Sequence, residues 1–109
     1  MFNVVSRPTF TRDVPVNVPS GDGFEEQTLK ATFNALTDDE QGTFNLATPD
    51  DVKDFLRKAI VSLDDLADEE GNPVTYSPAI LEDLIGRGYV RIALLATYTR
   101  AQIKAVTGN

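Results

Sequence analysis

Val52, Phe55, Leu56, Ala59, Ile60 and Leu63 stand at i, i+3, i+4, i+7, i+8 and i+11. That spacing places six apolar side chains on one stripe of a helix, and such a stripe has to be buried. It is the strongest periodic signal in the chain. The residues before it supply a start. Thr48 is placed as N-cap and Pro49 at the first helical position, with Asp50 and Asp51 facing the positive end of the helix dipole. The spacing predicts a core helix running through Leu63, which any fold must accommodate.

The first third carries a different period. From Phe10 to Val18 the even positions are apolar except Arg12, and the odd ones are polar or proline. Leu29, Ala31, Phe33 and Ala35 alternate in the same way with Thr28, Lys30, Thr32 and Asn34. Period-2 alternation gives each arm one buried and one wet face, so the two arms predict an antiparallel β-hairpin. The cluster Pro19-Ser20-Gly21-Asp22-Gly23 reads as a turn too long for a two-residue loop. Pro15 has no N–H to give to a ladder, which places the first arm at a sheet edge. A lone hairpin is marginal in water and needs helices to cover its apolar face.

Those helices have start signals of their own. Thr37-Asp38-Asp39-Glu40 fits a capping box opening a short helix over about 38–45, weakened at Gly42. Ser77-Pro78 opens a third, with Ile80, Leu81, Leu84 and Ile85 on one side and Gly86 and Gly88 breaking it. Residues 64–76 form a long acidic connection with a turn at Gly71-Asn72-Pro73. The last helix is expected from about Tyr89 to Ala105. The expected fold is α+β: an N-terminal antiparallel hairpin (1–36) packed on a bundle of three to four helices (37–109), one domain of 1–109. Val52, Phe55, Leu56, Ile60, Phe33 and Phe10 are expected in one core.

Chemistry is limited by what is missing. The chain has no Cys and no His. That removes disulfides, thiolate nucleophiles, thiolate-bound metal, the commonest general base and the commonest transition-metal ligand. No enzyme activity, metal or cofactor is expected. The acids of Asp64 to Glu70 suggest calcium, but with Gly71 at the glycine position of an EF-hand loop, Leu66 and Ser77 fall on its first and last ligand positions. Asp38/Asp39 and Asp50/Asp51 sit at helix starts, where the dipole favours acids. Gly21-Asp22-Gly23 is a turn, and no serine has a base to activate it.

The net charge of −7 argues against nucleic acid, since phosphate binding rests on Lys and Arg. Residues 37–70 carry a net −8, whereas Arg87, Arg91, Arg100 and Lys104 give residues 87–109 a net +4 with no acid. The basic segment is expected to fold against the acidic middle. No apolar run is long enough for a membrane helix, and the N-terminus lacks a signal-peptide stretch, so a soluble cytoplasmic protein is expected.

The last helix is apolar on two sides. Ile92, Leu95, Ala96, Ile103 and Val106 share one sector; Val90, Leu94, Tyr98, Ala101 and Ala105 share another. Arg100, Lys104 and Thr97 separate them on one side, Arg91 and Gln102 on the other. Such a helix is either central to its own fold or shared with a partner. The β-branched residues suggest that Ile92, Ala96 and Ile103 face the core. Val90, Arg91, Leu94 and Tyr98 are then the expected partner-binding residues, because Tyr and Arg are frequent at binding hot spots.

Taken together, the stretches NVVSRPTFTRDVPVNV (3–18), TLKATFNALTDD (28–39), DFLRKAIVSLDDL (54–66), DEEGNPVTYS (68–77) and the closing helix of 89–109 resemble the small tail assembly chaperones of tailed bacteriophages and prophages. The resemblance runs essentially end to end, on structural motifs that carry no chemistry; Gly86-Arg87-Gly88 departs from it. It implies a non-enzymatic role in virion morphogenesis. Such chaperones bind the long apolar tape-measure protein before tail tube protein polymerises around it, are absent from the finished tail, and are often made in two lengths by frameshifting. Self-association is a further expectation for the spare helix face. Two other readings come from different classes: a structural head–tail connector or tail-terminator ring subunit whose hairpin edge extends a neighbour's sheet, and an acidic DNA mimic.

Overall fold

Alternation and turn chemistry build the first element. The computed structural model describes residues 1–107, with side chains through Ile103. Strands β1 (Thr9–Ser20) and β2 (Gly23–Asn34) pair antiparallel in unbroken register from Thr9 opposite Asn34 to Ser20 opposite Gly23. The loop is therefore the two residues Gly21 and Asp22, shorter than the turn cluster suggested. Gly21 makes this possible with a φ of 59°, at the first central position where a type II′ hairpin turn needs glycine. Val14, Val16, Leu29, Ala31 and Phe33 point to one face and are buried, in the expected phase.

The helical stripe is only partly helix. Helix α2 (Pro49–Ala59), capped by the Thr48 hydroxyl, ends at Ala59, and Ile60–Asp64 is strand β3, paired antiparallel with β2 on the edge opposite β1. Ile60 and Leu63 are buried as expected, but on a strand. The cause is a bulge. Phe33 lies opposite Ile60 while Thr32 lies opposite Ser62, so Val61 is an extra residue and points outward, 45% exposed. In a regular strand residues three apart face opposite ways; one inserted residue returns Ile60 and Leu63 to the same face. A bulged strand thus reproduces helical spacing. The segment 37–109 consequently supplies a strand to the hairpin's sheet as well as helices.

Asp65, with φ 59°, turns the chain out of β3 into a small hairpin of β4 (Leu66–Ala67) and β5 (Pro73–Val74). Here the acidic connection is ordered by its own carboxylate. Asp68 Oδ1 accepts from the backbone N–H of Glu70 and of Asn72, each at 2.9 Å, and Gly71 takes the left-handed position at φ 85°. These backbone donors, Asn72 foremost, hold the Asp68 carboxyl below its ordinary pKa.

Helix α1 (Asp38–Gly42) carries the full capping box at Thr37 and Glu40 but is shorter than expected, ending at Thr43. Helix α3 (Pro78–Ile85) starts on the Ser77 hydroxyl and stops at Gly86, and α4 runs Gly88–Thr107. Helices α4 and α2 cover the apolar face of the sheet, giving two layers around one buried cluster. Val52, Phe55, Leu56, Ile60 and Phe33 lie inside it, while Phe10 is half-buried at its edge. The other sheet face stays wet, with Thr11 and Thr32 hydroxyls 2.9 Å apart.

Area scaling for 11.9 kDa gives about 6,000 Å² of folded surface, and the chain exposes 7297 Å². The excess comes from two projections. Residues 19–28 of the hairpin extend beyond the helices, with Phe24 73% exposed, and Phe2, Val4 and Val5 precede the first strand uncovered. The long axis is 48 Å against 29 and 28 Å for the others.

Candidate functional site

Helix α4 is the element on which sequence placed a partner surface, and the fold reverses its two faces. Val90, Leu94 and Tyr98 are 4%, 0% and 1% exposed and pack into the core, whereas Ile92 and Ile103 are 69% and 57% exposed. The expected partner residues are therefore core, and the sector expected in the core faces outward. Ala105 and Val106 of these sectors and Lys104 between them have side chains outside the described residues, and Gly108 and Asn109 lie outside them altogether.

Tyr98 explains the reversal. Its ring lies 5.2 Å from that of Phe55, 5.5 Å from Phe33 and 5.7 Å from Phe10, each contact tilted or edge-on, as aromatic quadrupoles prefer. Its hydroxyl accepts the Leu36 N–H at 3.0 Å, where the chain leaves β2, and lies 3.5 Å from Gln41 Nε2 on α1. A tyrosine can be fully buried when its oxygen has such a partner. Three phenylalanines distant in sequence outweigh the β-branched character of Ile92 and Ile103. The available signal was the aromatic count: a chain without Trp and with few Tyr has few ways to fill a centre this size.

Arg91 is structural as well. Its Nη1 donates to the Ile85 carbonyl at 2.9 Å, satisfying an open acceptor at the end of α3. Arg87 pairs with Asp83 at 2.9 Å on the preceding helix. Arg87 and Arg91 thus find their partners on α3, while the described residues of α4 meet the acidic middle through Tyr98 against Phe55 and Gln41 and not through charge. The charged groups of that middle pair with other elements. Glu40 takes Arg7 at 2.6 Å and Lys58 at 3.8 Å, and Arg57 joins Asp54 at 2.6 Å to Glu82 at 2.7 Å, tying α2 to α3.

What α4 leaves uncovered is a shallow apolar strip. Ile92, Ala96, Thr99 and Ile103 recur at i, i+4, i+7 and i+11, with Leu95 and Arg100 beside them. That is the seam spacing with which one helix accepts another. The strip has no acid, no catalytic group and no set of metal-ligating side chains. Among the described residues no cluster of Asp or Glu is arranged to hold a metal, and no helix is long and apolar enough to cross a membrane. No protein-family model, curated protein or solved structure matches this chain.

Proposed function

We propose that this chain is a non-enzymatic phage tail assembly chaperone that binds the tape-measure protein, acting in the host cytoplasm and leaving before the virion is complete. The observation that carries the reading is the strip on α4 in which Ile92 and Ile103 are exposed and Leu95 and Ala96 half-buried between them. A coiled, apolar tape-measure helix presents the complementary seam, and covering it until tube protein arrives is what such a chaperone does. The partner is named by the resemblance alone, and the strip's spacing supports the reading.

A ring subunit assembled by strand addition finds less support in the hairpin. Pro15 and Pro19 stand at the same parity of β1, the edge strand, so both prolines fall in the row of backbone groups turned away from β2. Two missing donors in one outward row blunt that edge against a neighbour's strand. The test is co-expression with the tape-measure protein encoded beside it, followed by pull-down and a solubility assay. Ile92→Asp with Ile103→Asp should leave a folded chain that no longer captures or solubilises the tape-measure protein. Unchanged capture by that double variant refutes the assignment.

A further inference from the structure

A second apolar surface, half-covered and recessed, lies on the opposite side of α4's first turns, and its surroundings have the opposite charge. A cleft of about 590 Å³ opens where β1 and β2 pass the small β4–β5 hairpin and the α3–α4 junction. Its base is the buried pair Val16 and Leu29 with Val90. Val18, Leu66 and Leu84 pack against the core from its walls but stay half-buried. Val74 and Ile80 are likewise half-covered. These side chains come from six different elements, so the cleft is a product of the tertiary fold.

The rim is acidic. Asp65 and Glu69 stand on it exposed, and no hydrogen bond or ion pair among the described residues engages their carboxylates. Asp68 is committed to its own loop amides. The single base of the lining, Arg87, is neutralised by Asp83. Glu25, opposite Val18 in the hairpin register and so on the same sheet face, adds another carboxylate at the open end. β2 pairs with β3 only over Lys30–Phe33, so Gln27, Thr28 and Leu29 keep an open backbone row beside the cleft, but that row is short and runs along one strand. The apolar side chains come from elements that no single strand edge runs along, which suits a helix laid across them better than an added strand.

From apolar walls and an unopposed acidic rim, we propose that this cleft docks an amphipathic helix of another protein whose apolar stripe is flanked by Lys or Arg. The α4 strip, bordered by Arg100 and lacking acid, is the wrong electrostatic match for that helix. The two surfaces therefore select different segments, and the cleft does not depend on what covers α4. Charge complementarity of this kind sets partner choice and encounter rate more than total affinity.

The probe is a fluorescent synthetic helix of Leu and Lys in heptad pattern, with a second peptide in which every Lys is Glu. Binding is followed by anisotropy and mapped by amide shift changes on the ¹⁵N-labelled chain. The Lys peptide should bind and shift Val18, Leu66, Ile80 and Leu84, and the Glu peptide should not bind. Asp65→Lys with Glu69→Lys, both on exposed sites, should weaken binding about tenfold. Ile92→Asp with Ile103→Asp should leave it unchanged. Absence of binding by the Lys peptide, equal binding of both peptides, or shifts confined to α4's outer face would overturn the proposal. So would unchanged affinity after charge reversal. The shift map on the unsubstituted chain decides the question even where a variant folds poorly.

Discussion

Removing one oxygen atom, by Tyr98→Phe, should cost more than removing most whole surface side chains. The ring keeps its contacts with Phe10, Phe33 and Phe55, so no cavity of consequence opens. What disappears is the acceptor 3.0 Å from the Leu36 N–H, at a residue 6% exposed, where water cannot replace it without disrupting the core. A buried donor left without its partner costs about 1–3 kcal/mol. For a chain of this length each kcal/mol moves the melting temperature by about 4–8 °C, so Tyr98→Phe should melt about 5–20 °C lower. Urea denaturation followed by circular dichroism gives the free energy, and hydrogen exchange at Leu36 gives the site, since that amide should lose its protection selectively. Tyr89→Phe is the control: among the described residues that hydroxyl meets only Arg87 Nη1, at 3.4 Å on the surface, and its loss should be within about 0.5 kcal/mol. If Tyr98→Phe is as mild as Tyr89→Phe, the hydroxyl is not the acceptor for Leu36 and the account of why Tyr98 is buried fails.

Phe55→Ala, at 1% exposure between Phe44 and Tyr98, should cost about 3–5 kcal/mol in the same assay; under 1 kcal/mol would mean that α2 packs by another face. Hydrogen bonding from Arg7 and from the Thr37 N–H lowers the Glu40 pKa from 4.5 to about 2. A folded value below the unfolded one gives stability that is complete above about pH 4.5 and lost as pH falls toward 2. Glu40→Gln should therefore flatten the acid limb of the stability–pH curve; identical limbs would refute the pairing. Millimolar calcium or chelator should leave the melting temperature unchanged, because the Asp68 carboxylate is already engaged by its loop; a rise of several degrees with calcium would overturn that reading.

Local signals carried most of the architecture. Thr37, Thr48 and Ser77 all cap the helices that they announce, and the period-2 arms pair in the expected phase. These features depend on neighbours within a few residues, which a linear pattern records. Two misreadings share a different cause. Ile60 and Leu63 were buried as expected but on a strand, because a bulge at Val61 depends on pairing with β2 about thirty residues earlier. The faces of α4 were exchanged because burial there is decided by Phe10, Phe33 and Phe55, which converge on Tyr98 only in three dimensions. The acidic-rimmed cleft left no linear trace, since its walls come from separate elements.

The bond from Leu36 to Tyr98 also sets a timetable for the nascent chain. The two residues lie 62 positions apart, and at about 5–20 residues per second the ribosome needs about 3–12 s to travel between them. A hairpin closes in about 1–10 μs. The β1–β2 ribbon, marginal on its own, therefore opens and closes many times before α4 exists to cover Val14, Ala31 and Phe33. During that interval its apolar side is open to whatever binds emerging polypeptides. Folding of the core therefore waits for α4, whose Tyr98 acts as the clasp on Leu36.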